Sequence, residues 1–297
     1  MKLTDSNARV DRPQLNLHRC HPRDWAGNRY VYPVLSRRSH GLSIGINLNP
    51  DKACNFDCIY CQVDRTVPPA VRKVDLAVLT GELTEMIAWA ADGSVWSSPP
   101  FDAAPASHRR LNDLAFSGDG EPTTFQPFDR AVQIAIDALA RRDLDGVKII
   151  LITDACYLTR PHVRRGLALM DAHHGEIWAK LDAGTEAYYR RVNKPNFPLQ
   201  HVMDNIIDAA RVRPVVIQSL WMQIAGVGPP DSEIEAFADR LQQIRAAGGS
   251  LSGVQVYTVA RRPADPSVTP LSDAQVDAIT DRVRRRTDLD VESFYAG

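Results

Sequence analysis

Short β-branched runs alternate with longer amphipathic stretches along most of this chain, and that alternation constrains the fold more than any other feature. It is the pattern of a parallel sheet whose successive strands are joined by crossover helices. Six strands are expected: SIGIN (43–47), LAFSG (114–118), VKIILIT (147–153), IWAKLD (177–182), VVIQSLWMQ (215–223) and VQVYTVA (254–260). Helices are expected over about 75–92, 128–142, 161–172, 199–212, 232–247 and 273–286. Ser232 with Glu235 and Ser272 with Gln275 have capping-box spacing, and Gly248-Gly249 supplies a helix stop. Six β/α units are too few to close an eight-stranded barrel. The expected fold is therefore α/β, an open six-stranded parallel (β/α)6 partial TIM-type barrel. Its open side needs a cover, which divides the 297 residues into an N-terminal extension over the barrel (1–40), the partial barrel (41–262) and a C-terminal extension with one helix (263–297).

Three of the five cysteines, Cys54, Cys58 and Cys61, lie in the run CNFDCIYC. The C-x3-C-x2-C spacing gathers three thiolates on one loop and supplies no fourth, whereas a closed zinc or iron–sulfur thiolate site takes four ligands. Spacing alone leaves two readings open. Either the site is completed from elsewhere by Cys20, Cys156, His21 or His40, or a cluster is left open at one metal for chemistry. An odd number of cysteines with no secretory signal argues against a disulfide framework. Cys20 and Cys156 read as ordinary isolated thiols.

The formal charge of −1 and pI near 6.7 give no basic excess for a nucleic-acid or anionic-membrane surface. No apolar run approaches a membrane span, and MKLTDSNARVDRPQL lacks the apolar centre of a signal peptide. The expected location is cytoplasmic, with no membrane partner.

In parallel β/α architectures ligands sit over the carboxyl ends of the strands, and the chemistry-bearing residues of this chain fall there. SGDGEPT places Gly118 and Gly120, which allow close backbone approach, beside the carboxylates of Asp119 and Glu121. LITDAC ends in Thr153 and Asp154. WAKLD puts Lys180 and Asp182 on one face of an extended strand, a pair that is costly to bury unless the two meet each other or a ligand. Arg190, Arg191 and Lys194 are expected in the following loop, and Tyr257, Arg261 and Arg262 near the mouth. These basic groups suit an anionic substrate, and equally suit solvated turns.

CNFDCIYC, with Tyr60 just before the third cysteine, resembles the cluster-binding loop of radical S-adenosylmethionine (SAM) enzymes. SGDGEPT resembles that family's Gly-Gly-Glu motif, with Asp119 in the place of the second glycine. Thr153-Asp154 stands where related enzymes place a polar pair, often Thr-Asn, and MQIAGVGPP resembles the glycine-containing segment beside adenine. With WAKLDAGT and YTVARRPA these motifs span about 41–266 and are most similar to the subgroup related to the tRNA wyosine-base synthase. The resemblance implies one [4Fe-4S] cluster on Cys54, Cys58 and Cys61, with SAM chelating the fourth iron. It further implies Tyr60 beside the adenine, and Gly118, Asp119, Gly120, Glu121, Thr153, Asp154, Lys180 and Asp182 as the SAM contacts. A flavodoxin or ferredoxin type electron donor is expected, reductive cleavage of SAM to a 5′-deoxyadenosyl radical, and hydrogen abstraction from a small anionic substrate. The wyosine enzymes carry a second cluster on three N-terminal cysteines, whereas this segment offers only Cys20. A tRNA-modifying enzyme is thus an alternative without support in charge. A zinc-stabilised, non-catalytic binding protein is the alternative of a different class.

Overall fold

The computed structural model describes residues 25–296, so Cys20, His21 and most of the expected N-terminal extension lie outside the described residues. The described residues form ten strands: β1 (Val31–Ser36), β2 (Gly41–Ile46), β3 (Leu111–Phe116), β4 (Lys148–Thr153), β5 (Gly175–Lys180), β6 (Val215–Trp221), β7 (Gln223–Ile224), β8 (Leu251–Thr258), β9 (Val268–Thr269) and β10 (Val291–Phe294). The α-helices are α1 (Leu76–Ala91), α2 (Phe128–Ala140), α3 (Pro161–Asp171), α4 (Glu186–Asn193), α5 (Leu199–Val212), α6 (Asp231–Ala246) and α7 (Asp273–Thr287).

The main sheet has eight strands, not six, in the order β1-β2-β3-β4-β5-β6-β8-β10. The six expected strands form its parallel centre. Strand β1 adds to one edge antiparallel to β2, and β10 adds to the other edge parallel to β8. Both additions escape sequence reading for physical reasons. β1 carries Pro33, which is tolerated at an edge but argues against a strand, and β10 has only four residues. The sheet curls until its two edges come within side-chain reach: the Arg37 guanidinium donates to the Tyr295 carbonyl, and His40 Nε2 lies 3.6 Å from Glu292 Oε1.

Alternation along the strands separates two environments. Leu42, Ile44, Ile46, Leu114, Phe116, Ile149, Leu151, Ile177, Ile217, Val254 and Val256 face the helices and are buried in the apolar core. Ser43, Asp113, Ala115, Ile150, Ile152, Trp178, Lys180, Gln218, Leu220 and Tyr257 face the concave side and line a cavity. No helix is long and apolar enough to cross a membrane among the described residues.

The Ser272–Gln275 capping box forms as expected, and Gly248, at φ +86°, ends α6. The other expected capping box does not form: α6 begins at Asp231 behind Pro230, with no side-chain cap. Glu233 of that helix instead turns inward to the turn ahead of α4, accepting from Gly184 N at 2.6 Å, Thr185 N at 3.0 Å and Thr185 Oγ1 at 2.7 Å. Helix α4 itself was expected to be loop; Thr185 caps it, and it is short and mostly polar outside Tyr188, Tyr189 and Val192. Replacing Glu233 by Ala strands these buried donors, each worth about 1–3 kcal/mol when unsatisfied. We expect Glu233→Ala to lower unfolding free energy by at least ~2 kcal/mol in urea titrations, with Glu233→Gln in between.

Candidate functional site

The cysteines lie in a long connection between β2 and α1 with almost no regular structure, so its shape depends on what clamps it. One clamp is the turn after β3. A Cβ on Gly120 would overlap the Ala53 carbonyl oxygen, and Glu121 N donates to that same oxygen at 2.9 Å. Glycine is required there because loop backbone occupies the side-chain position. Asn47 Nδ2 donates to Asp119 Oδ2 at 2.7 Å while Asn47 Oδ1 accepts from Asp119 N at 3.2 Å, and Asn49 Nδ2 donates to Thr124 Oγ1 at 2.7 Å. The second clamp is the end of α4 and the residues after it. Asp57 N and Ile59 N donate to the carbonyls of Asn193 (3.0 Å) and Val192 (2.9 Å), and Asn196 N donates to Asn55 O at 3.0 Å.

Held this way, the three cysteines line one cavity of about 340 Å³ over the carboxyl ends of the strands. Tyr60, Gly118, Asp119, Gly120, Glu121, Thr153, Asp154 and Lys180 line the same cavity. Asp182 does not. It sits one layer back, where its Oδ2 accepts from the Tyr60 hydroxyl and from Asn193 Nδ2 at 2.8 Å and forms an ion pair with Lys180 Nζ at 3.6 Å, and its Oδ1 accepts from Leu220 N at 2.9 Å. Lys180 also donates to the Tyr257 hydroxyl at 3.1 Å and stands 4.9 Å from the Tyr60 ring centroid. The costly Lys–Asp pair is thus an internal ion pair whose cation edges the cavity. Burial alone would lower the Lys180 pKa, but Asp182 and Tyr257 outweigh it and hold it above the ordinary lysine value.

Glu121 is buried and saturated by its own chain. Oε1 accepts from Thr123 N at 3.0 Å, from the Thr123 hydroxyl and from Thr153 Oγ1 at 2.7 Å, and Oε2 accepts from Asp154 N at 2.7 Å. It ties the end of β3 to the end of β4. Asp154 Oδ1 accepts from Asn55 Nδ2 at 3.3 Å and Cys156 N at 2.9 Å, whereas its buried Oδ2 has no partner among the described residues. A buried acceptor on a cavity wall with nothing to accept from is suited to a ligand hydroxyl or ammonium.

Among the described residues, no three His, Cys, Asp or Glu side chains gather closely enough to chelate a single metal ion. His40, one proposed fourth ligand, stands at the β1–β2 turn beside Glu292, and Cys156 is buried with its thiol toward Asp154 O at 3.9 Å. Three sulfurs lining one cavity are a donor set that fits an iron–sulfur cluster with one metal left open. Their surroundings fit it too: Cys54 accepts from the Phe56 amide, Cys58 Sγ from Asn193 Nδ2 at 3.5 Å and Cys61 Sγ from Arg65 Nη1 at 3.3 Å. Burial pushes the Cys58 thiol up to about 12, with Lys180 opposing, and pushes Cys54 up as well, reinforced by Asp154 and Glu121. Cationic metal at the sulfurs reverses that penalty.

The expected basic mouth is mostly elsewhere. Arg190 is on helix α4, paired with Glu186 at 2.7 Å, and neither it nor Arg191 nor Lys194 lines the cavity. Arg262 borders a separate surface depression, while Arg261 and Tyr257 do line the cavity. No residue of the segment MQIAGVGPP (222–230) lines the cavity; its Gln223–Ile224 form β7, paired antiparallel with β9. Sequence reading missed Arg38, from the β1–β2 turn, whose guanidinium carbon lies 5.4 Å from the Trp178 ring centroid and 5.2 Å from that of Tyr257. It also missed Asn47, Asn49, Asn55 and Asn193, whose only signal was their clustering near the cysteine run and after WAKLD.

No protein-family model matches the chain. A UPF0026 protein of Methanocaldococcus jannaschii is 28% identical over 176 residues, which are 59% of this chain and 46% of that protein, so the match spans less than half the relative's length. Among solved structures, a radical SAM methyltransferase from Sphaerobacter thermophilus superposes with a TM-score of 0.61 at 14% identity, covering 89% of this chain and 69% of that one. SuiB of Streptococcus suis, solved bound to S-adenosylmethionine, gives 0.54 at 12% identity, covering 88% and 49%. The chain has the fold of the radical SAM enzymes, a curled and mostly parallel α/β half-barrel, and resembles that superfamily.

Burial raises the Glu121 carboxyl to about 8, helped by Asp154, and raises Asp154 too. A carboxylate raised in the fold keeps a proton that the unfolded chain has already lost. Its stabilising contribution is full below about 4.5 and is lost as pH rises to about 8. Thermal denaturation should therefore show wild-type stability falling between about pH 4.5 and about 8. The Asp154→Asn variant, with one charge fewer, should fall less.

Proposed function

We propose that this protein is a radical SAM enzyme that holds one [4Fe-4S] cluster on Cys54, Cys58 and Cys61 and binds SAM in the same cavity. The observation that carries the reading is convergence. Three thiols and a glycine turn that admits loop backbone meet over the carboxyl ends of a sheet with the radical SAM fold, together with a buried acceptor that has no partner among the described residues. When bound, cluster and SAM together supply reductive cleavage to methionine and a 5′-deoxyadenosyl radical.

The chain's own residues would divide the remaining work. Asp154 Oδ2 and the polar turn 118–121 receive the hydrogen-bond donors of SAM, and Lys180 faces its carboxylate. Glu121 and Asp182, though expected as direct contacts, act from behind. The first fixes the ends of β3 and β4, and the second fixes Tyr60 and Lys180. The apolar and aromatic wall of Ala115, Ile150, Ile152, Trp178 and Leu220 excludes water from the concave side. An anionic substrate fits here against Arg38 and Arg261 rather than the α4 arginines. A flavodoxin or ferredoxin type protein is the proposed reductant.

The test is anaerobic reconstitution followed by reduction with dithionite and SAM. We expect about four irons per chain, release of 5′-deoxyadenosine, and loss of both in Cys54→Ala, Cys58→Ala or Cys61→Ala. Cys156→Ala should retain both. Full iron retention in Cys58→Ala, or stoichiometric zinc with no iron, would defeat the reading.

A further inference from the structure

Two of the three cysteine sulfurs meet side-chain N–H donors from outside any motif. Arg65, four residues past the last cysteine, folds back so that Nη1 lies 3.3 Å from Cys61 Sγ and 3.7 Å from Asp57 Oδ1. Asn193, at the end of α4, directs Nδ2 to Cys58 Sγ at 3.5 Å while the same group reaches Asp182 and the Tyr60 hydroxyl. Arg65 is a partly exposed cation on the rim of the cavity, with 29% of its side chain accessible, whereas Asn193 is fully enclosed.

We infer that Arg65 is a positioning residue that sets the reduction potential of the cluster through Cys61. The inference rests on the proposed cluster assignment. Reduction adds one negative charge to a centre already carrying thiolates, so an N–H donor and a positive charge at the sulfur stabilise the reduced form more than the oxidised one. Both move the potential upward. Asn193 acts in the same direction at Cys58, but as a neutral dipole, and it is shared with two oxygens, so its share is the smaller. Asp57, adjacent to Cys58, opposes Arg65 with a charge 3.7 Å away; with its side chain 69% exposed, it offsets the guanidinium only in part. The cavity thus places a partly exposed cationic donor at Cys61 and a buried neutral one at Cys58.

The experiment is an EPR-monitored redox titration of the reconstituted protein, with iron and sulfide counted in each sample. Arg65→Met should retain the cluster and shift the midpoint to more negative potential by about tenfold in the one-electron equilibrium, ~59 mV. Arg65→Lys, which keeps the charge but lacks the reach and fork of the guanidinium, should lie between. Asp57→Asn should move the midpoint the opposite way, and it provides the readout if Arg65→Met does not hold a cluster. A cluster retained in Arg65→Met with an unmoved or raised midpoint overturns this inference alone, as does an unmoved midpoint in Asp57→Asn. Wild-type protein that takes up no iron overturns the cluster assignment and this inference with it.

Discussion

The cysteine loop is held by backbone, and everything at the site depends on that clamp. Ala53 O fills the space that a side chain at Gly120 would occupy, and on the other side the carbonyls of Val192 and Asn193 accept from Ile59 and Asp57. A loop with no ladder of its own has little to oppose its conformational entropy, so it needs such partners on both flanks. They come from the ends of two strands on either side of β4: the turn after β3 and the helix after β5. These strands must therefore pair in register before the loop is held on both flanks, and the convergence of the thiols depends on the fold as well as on the CNFDCIYC spacing.

The same dependence explains the density of buried polar groups. Glu121, Asp154 and Asp182 are withdrawn from water and Lys180 largely so, which costs stability unless each finds partners. Glu121 and Asp182 find them entirely within the chain, and Lys180 finds Asp182 and Tyr257. Of these four, Asp154 alone keeps a carboxylate oxygen, Oδ2, without a partner among the described residues. The charged residues of the site thus act mainly as a rigid frame for others, and a small set of atoms is left to meet a ligand.

How much of this was legible follows from what leaves a period or a spacing in a sequence. The six central strands and the longer helices show a strong alternation, and they form close to where that alternation places them. Strand β1 with Pro33, the four-residue β10 and the eight-residue α4 are too short or too atypical to show one, so the edge closure and the second clamp stayed hidden. At the site, thiols and carboxylates announce their chemistry by residue type. The four asparagines do not, because an amide reads as a turn former until its partner is known. Charge misled in a specific way: Arg190 and Arg191 lie near a strand end in sequence, but one turn of helix α4 carries them off the cavity, whereas Arg38 reaches it from a hairpin turn.

The claim on which the functional reading stands is that one iron of the cluster is left for SAM. It is most directly tested by EPR of the dithionite-reduced, reconstituted protein with and without SAM, using SAM labelled with oxygen-17 in its carboxylate for hyperfine detection. The account predicts that SAM changes the shape of the cluster signal and that the label couples to it. A [4Fe-4S] signal identical with and without saturating SAM would contradict it.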